Sequence, residues 1–251
     1  METGVPHRPV LYQEIIQYLA PYSLGRYLDC TAGAGGHSKG ILEASAPDGQ
    51  LVALDLDPDA VALARARLAP FGSRAIVKHA SYTESAQVLA EIGWQKVDGI
   101  VLDLGVSSMQ LDQAKRGFSF QQNGPLDMRF DPTRGPSAAD LVNNLDEKAL
   151  ADLIWRYGEE RYSRKIARAI VQARPLQTTQ ELATVVRFAI GRTSERQDPA
   201  TRTFQALRIA VNDELKNIQE ALPQLIELLE PNARLAVISF HSLEDRIVKQ
   251  I

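Results

Sequence analysis

The sequence predicts an α/β fold built on a parallel sheet and interrupted by an all-helical insert. Short apolar strands alternate with helical stretches over residues 1–109, a rhythm that calls for right-handed crossovers. A glycine loop follows the first strand and an acid ends the second, the layout of a nucleotide-type cofactor site. Between the fourth and fifth strands, in an insert at about 115–210, residues 137–190 and 200–210 carry apolar side chains at helical rather than strand spacing.

The first strand, 27–31, reads Tyr27-Leu28-Asp29-Cys30-Thr31 and runs into Ala32-Gly33-Ala34-Gly35-Gly36-His37. The second, 51–55, ends on Asp55-Leu56-Asp57-Pro58, and the third and fourth are expected at 75–79 and 98–103. Helices are expected near 38–45, 58–69 and 83–92. The helix at 58 has a clear start: Asp57 can cap it, Pro58 suits the first helical position and Asp59 the positive end. Residues 105–136 are rich in Gly, Pro, Ser, Asp and Arg without periodicity, which predicts a long ordered loop. Residues 137–190 read as helical, with Ser137/Asp140 and Thr178/Glu181 as capping boxes and Gly158 closing the face Leu150, Leu153, Ile154, Tyr157. Further helix covers 200–221 and continues past Pro223, and a fifth strand returns at 235–240. The expected division is a cofactor-binding domain, 1–112 with 212–251, around an inserted loop and helical domain, 113–211.

Composition narrows the class. Of 251 residues, 45% are hydrophobic and 24% charged, ordinary for a globular chain. No apolar run approaches the roughly 20 residues that span a bilayer, and no signal-peptide core is present, so a cytoplasmic location is expected. Cys30 is the only cysteine, which excludes an intrachain disulfide, and four scattered histidines form no metal-ligand set. The net charge of −3 hides an asymmetry: residues 115–216 hold 17 Lys and Arg against 13 Asp and Glu, the remainder 11 against 18. A basic middle is either a solvated surface or a segment that touches phosphates.

The cofactor loop separates two candidates. A carboxylate at Asp55 can accept hydroxyl hydrogens from a ribose, which both NAD and S-adenosylmethionine carry. A dinucleotide site would have a third glycine where Ser38 stands. It would also bring a pyrophosphate close to Asp29, which repels it, whereas the sulfonium and ammonium of S-adenosylmethionine tolerate or favour an acid there. Asp98-Gly99-Ile100-Val101-Leu102-Asp103-Leu104-Gly105 ends the fourth strand on an acid at the expected switch point, close to the methyl donor and its target. Tyr82, after the third strand, is placed either against the adenine or in the core.

Seven blocks then resemble one family. They are His7-Arg8-Pro9-Val10-Leu11, Gly33-Ala34-Gly35-Gly36-His37-Ser38, Asp103-Leu104-Gly105-Val106-Ser107-Ser108, Arg116-Gly117-Phe118-Ser119-Phe120, Gly124-Pro125-Leu126-Asp127-Met128-Arg129, Thr201-Arg202-Thr203-Phe204-Gln205-Ala206-Leu207-Arg208 and Ser239-Phe240-His241-Ser242-Leu243-Glu244-Asp245-Arg246. Together they resemble the bacterial 16S rRNA cytosine-N4 methyltransferases, the ribosomal small subunit methyltransferase H family. The resemblance implies a Rossmann-like, S-adenosylmethionine-dependent methyltransferase fold with an inserted all-helical subdomain. It implies N4 of a decoding-site (P-site) cytidine in 16S rRNA as acceptor and the small ribosomal subunit as partner. It implies donor binding by Gly35, Gly36, His37, Asp55, Tyr82, Asp103 and Gln110. Family members continue for some tens of residues beyond the last block, so the final sheet strands are expected to be missing from this chain. Oligomeric state stays open between monomer and homodimer.

No metal or covalent intermediate is needed. The N4 lone pair is delocalised into the ring, so an acceptor on the amine hydrogens would localise it; Asp103 either fills that role or only holds the cofactor. The base must be presented unstacked. Arg116, Arg129, Arg134, Arg161, Arg164, Lys165, Arg168 and His241 are candidate RNA contacts. On a helix at 159–173, Arg161, Arg164, Lys165 and Arg168 share a face, serving either phosphate or a solvated pairing with Glu159 and Glu160. Phe118 and Phe120 either stack on bases or belong to the core. His241 and His7 either contact the base or order the 105–136 loop. Rival readings are methylation of DNA cytosine or a small molecule, an inactive RNA-binding homologue, and an NAD-dependent oxidoreductase.

Overall fold

The computed structural model describes residues 9–191 and 197–251. His7 therefore lies outside the described residues. The chain divides into two compact units, Met1–Gly105 with Lys216–Ile251, and Val106–Leu215. In chain order the first holds α1 (Tyr12–Leu19), β1 (Arg26–Asp29), α2 (Gly36–Ala44), β2 (Gln50–Asp55), α3 (Pro58–Leu68), β3 (Ala75–His79), α4 (Ser85–Glu91) and β4 (Val97–Asp103). The second holds α5 (Ser108–Asp112), α6 (Ala138–Asn144), α7 (Glu147–Gly158), α8 (Ser163–Ala173), α9 (Thr179–Ile190) and α10 (Ala200–Val211). After α11 (Glu214–Glu227) come β5 (Leu229–Ile238) and α12 (Ser242–Val248). No helix among the described residues is long and apolar enough to cross a membrane.

The first unit is an α/β fold with a five-stranded parallel sheet in the order β3-β2-β1-β4-β5. Leu28 lies opposite Val52 on one side and Ile100 on the other. Leu51, Val52, Ala53 and Leu54, and Ile100, Val101 and Leu102, are fully buried. A parallel sheet covered on both faces needs unbroken apolar runs, which is what these strands carry. The Asp57 carboxylate accepts the Asp59 N–H at 3.0 Å and caps α3 as expected. Three details depart from expectation. Helix α1 was not anticipated, although Ile15 and Leu19, one turn apart, are both buried. Strand β5 starts at Leu229 rather than 235; its largely exposed first half, where the pairing with β4 slips between Val97 and Gly99, carries no apolar run to announce it. It also ends at Ile238, leaving Phe240 outside it and exposed.

The second unit packs α6 to α10 around Leu150, Ile154, Ile166, Ile170, Leu182, Val186 and Leu207. Both anticipated capping boxes form: Ser137 with Asp140 on α6, Thr178 with Glu181 on α9. Gly158 does not supply the left-handed turn that ends α7; Glu159 does, at φ 49. Gly158 is small because a Cβ there would come within 2.6 Å of the Arg202 carbonyl oxygen on α10. The anticipated loop at 105–136 contains α5 and a 3-10 turn, Ala114–Arg116. The helix expected over 200–221 breaks at Asn212-Asp213. There the Asn212 amide donates to the Met128 carbonyl at 2.8 Å and accepts the Phe130 N–H at 2.7 Å. Satisfying that loop backbone takes precedence over continuing the helix.

Candidate active site

Three carboxylates end three adjacent strands: Asp29 on β1, Asp55 on β2 and Asp103 on β4. The chain leaves β1 toward β2 on one side and reaches β4 on the other, so the carboxyl ends of β1 and β4 flank the topological switch point. The loop after β1 is drawn onto the sheet by the Ala32 N–H, which donates to the Leu54 carbonyl at 2.8 Å. The Asp103 N–H donates to Thr31 Oγ1 at 2.6 Å and ties the end of β4 to the same loop.

Gly35 is demanded by its φ of 77 and by helix α3: a Cβ would sit 3.3 Å from the Ala64 Cα. The contact with α3 is a packing reason for glycine that the sequence does not display. Gly33, at φ 50, needs glycine for conformation only, since a Cβ would meet nothing within 4 Å. Gly36 opens α2 and touches Pro9, against which a Cβ would clash.

Asp29 is fully buried; it accepts the Thr31 N–H at 3.1 Å and the Ser38 hydroxyl at 2.5 Å. Burial pushes its pKa up, opposed by His37, Ser38 and Thr31. It is a loop-capping acid rather than a side chain facing a cationic ligand, and Ser38 stands in place of glycine to hold it. Asp55 also caps loop amides: Oδ2 accepts the Gly33 N–H at 2.7 Å and Oδ1 the Asp57 N–H at 2.8 Å. Each of its oxygens retains a further acceptor site. Burial raises its pKa to about 6, against those two hydrogen bonds.

Asp103 differs from both. Its Oδ1 is enclosed and has no hydrogen-bond partner, while Oδ2 lies 3.8 Å from His37 Nδ1. Burial first, then the charges of Asp29 and Glu244, raise its pKa to about 6; His37 works in the opposite direction. The His37 ring is only 4% exposed, so its imidazole supports the site from behind. Its Nε2 is 3.0 Å from the Val10 carbonyl oxygen and its ring stacks on Tyr12. Tyr82 is half-buried in a 3-10 turn, Tyr82–Glu84, fixed by a Ser81–Glu84 capping box. His241 is the N-cap of α12: Nδ1 accepts the Glu244 N–H at 3.4 Å, and Nε2 is 3.2 Å from Glu244 Oε1. That capping role is not read from the sequence, which leaves His241 either contacting the base or ordering the 105–136 loop.

The remaining candidates belong to the second unit. Gln110 is buried and closes the cap of α5, its Oε1 accepting the Ser107 N–H at 3.0 Å. Its donor-binding role rests on the family resemblance alone. Arg116 is buried and donates to the Arg129 and Phe130 carbonyls at 3.0 and 2.9 Å, so it is a structural clamp rather than a phosphate contact. Arg129 grips Asp127 through two bonds, at 3.0 and 2.7 Å. Burial would raise the Asp127 pKa, but the Arg129 bonds outweigh it and lower it. Arg134 is exposed and pairs with Asp131 at 3.3 Å. Arg161 precedes α8 and lies over the Tyr162 ring at 4.8 Å, so the expected four-residue stripe is three on the helix: Arg164, Lys165 and Arg168, all exposed. Arg168 pairs with Glu147 at 3.4 Å; Glu160 is buried and faces Arg202 at 3.9 Å. Phe118 is buried against Phe130 and Phe120 packs edge-on to Phe204, which assigns both to the core. Sequence reading missed Thr31, Tyr12 and the Val10 carbonyl; Thr31, two residues after Asp29, carried the signal of an Asx turn.

Residues 4–251 match the MraW methylase family. This chain belongs to that family. Its relatives include the Ribosomal RNA small subunit methyltransferase H of Dehalococcoides mccartyi, 54% identical over 99% of this chain and 71% of its own length. The protein of the same name from Geobacter sp. is 54% identical over 97% of this chain and 80% of its own length. That of Thermomicrobium roseum is 52% identical over 97% and 76%.

Proposed function

We propose that this chain transfers the methyl group of S-adenosylmethionine to the N4 amine of a decoding-site cytidine in 16S rRNA of the small ribosomal subunit. The observation that carries the chemistry is Asp103: one enclosed carboxylate oxygen without a partner at the carboxyl end of β4. The relatives' shared name supports ribosomal RNA of the small subunit as substrate. Cytidine N4 rests on the family resemblance.

The residues present fit the donor. Asp55 keeps acceptor capacity for ribose hydroxyls beside an open glycine turn at Gly33. Gly35, Gly36 and the backbone of His37 form the first turn of α2 and its entry, and Tyr82 supplies an aromatic face beyond β3. When bound, S-adenosylmethionine supplies a methyl group activated by its sulfonium. Asp103 orients the amine by accepting its hydrogens at Oδ1, which localises the nitrogen lone pair, and then takes up the proton released. Holding amine and donor in line contributes the rest of the rate. Arg164, Lys165 and Arg168 are the exposed cations of the helical unit proposed to meet RNA phosphates.

The test is transfer of labelled methyl to small ribosomal subunits lacking the modification, followed by nucleoside analysis. Label in N4-methylcytidine supports the proposal. Label in another nucleoside overturns the choice of target atom, and label on DNA or a small molecule but not on subunits overturns the substrate class.

A further inference from the structure

The Val10 group that meets His37 is a carbonyl oxygen, 3.0 Å from Nε2. A carbonyl accepts and cannot donate, so Nε2 carries a hydrogen. Nδ1 is then the atom turned toward Asp103, 3.8 Å from Oδ2. With hydrogen on Nε2 alone, Nδ1 would aim a lone pair at a carboxylate oxygen inside a buried site. A proton on Nδ1 turns that repulsion into an ion pair. The ring has little freedom to turn away, because it is buried and stacked on Tyr12, centroids 6.4 Å apart and planes 15° from parallel. The Asp103 backbone is equally fixed by its bond to Thr31. With Oδ2 facing His37, Oδ1 is the enclosed oxygen that has no hydrogen-bond partner.

We propose that His37 and Asp103 hold one proton, seated on Nδ1 against Oδ2, and that His37 is thereby the positioning residue that keeps Asp103 ionised with Oδ1 ready for the amine proton. The proposal rests on the methyl-transfer reading above. After methylation the amine nitrogen carries one hydrogen too many. That N–H bond breaks, its electron pair stays on nitrogen, and the proton passes to Oδ1; it leaves to solvent from there. His37 neither gains nor loses a proton in the step.

Among the described residues, these charged or titratable neighbours enter this balance. His37 is faced by Asp103 from β4, Asp29 from β1 and Tyr12 from α1. Asp103 is faced by His37 from α2, Asp29 from β1 and Glu244 from α12. Asp29 and Glu244 drive Asp103 toward its neutral form, and among these groups His37 opposes them.

The deciding experiment is 15N NMR of the imidazole rings in the intact chain at neutral pH, beside Asp103→Asn. Both His37 nitrogens should be protonated in the wild type, and Nδ1 alone should lose its proton in Asp103→Asn. An unprotonated Nδ1 or an unprotonated Nε2 in the wild type overturns the proposal, whether or not the variant folds. The second readout is the pH profile of methyl transfer by His37→Gln at saturating donor. Its midpoint should rise by about one pH unit or more, with activity recovering in alkaline buffer; an unmoved midpoint overturns the proposal. Failure of the wild type to methylate ribosomal RNA while Nδ1 stays protonated would refute the substrate reading alone. Normal methylation with an unprotonated Nδ1 would refute the proton pairing alone.

Discussion

Asp103 is where residue-scale chemistry concentrates. Asp103→Asn keeps the shape but removes an ionisable acceptor, so methyl transfer should fall by roughly 10²–10⁴-fold. S-adenosylhomocysteine binding, followed by thermal shift, should persist; loss of binding in step with activity would leave the acceptor role unsupported. Activity should rise as pH climbs through about 6, where Asp103 ionises. Stability should run the other way. Asp55 and Asp103 have folded-state pKa values raised from 3.8 to about 6, so the protonated acids favour the folded state. That contribution is full below 3.8 and is lost as pH rises through about 6. Denaturant midpoints across pH 4 to 7 should therefore fall less steeply in Asp55→Asn, and an unchanged slope would show that its burial is not felt. At this scale the sequence displayed which acids end the strands. It did not display their different surroundings: Asp29 and Asp55 take loop amides while Asp103 keeps an unpartnered oxygen. Those distinctions depend on atoms far apart in the chain, such as Thr31 and Asp103.

Elements were legible where their signals are local. The caps at Asp57, Ser137 and Thr178 each need only three or four neighbouring residues, and each forms. Thr178→Ala should cost about 1 kcal/mol in a denaturant melt by orphaning an N-terminal amide of α9. A cost near zero would mean that water or Gln177 satisfies it instead. Gly158 shows the opposite case. Its sequence position suits a helix end, yet its smallness serves the approach of α7 to α10. Gly158→Ala should destabilise by about 1–3 kcal/mol through displaced backbone, whereas an ordinary helix-interior glycine would gain stability from alanine. The break at Asn212 was illegible because it answers to a loop carbonyl and a loop N–H some eighty residues upstream.

For the whole molecule, binding of RNA is the prediction that charge makes. Replacing Arg164, Lys165 and Arg168 together by alanine should reduce the dependence of log K on log salt by about 2, taking about 0.7 per phosphate contact on single-stranded RNA. Donor binding should be untouched. An unchanged salt slope would remove α8 from the RNA interface. The same scale separates what the chain writes locally from what folding decides. Alternating strands and helices, a glycine loop, strand-end acids and a helical insert follow from periodicity and turn chemistry, which act over a few residues. The family follows from long unusual blocks of sequence. Which arginines are free to meet a polyanion does not: Arg116 and Arg164 read alike in sequence, yet one is a buried clamp on two carbonyls and the other is exposed. Nor does the sequence show that His37 stands behind Asp103. Burial and long-range pairing set those roles, because an ionic side chain's chemistry is fixed by the neighbours and dielectric that tertiary packing brings to it.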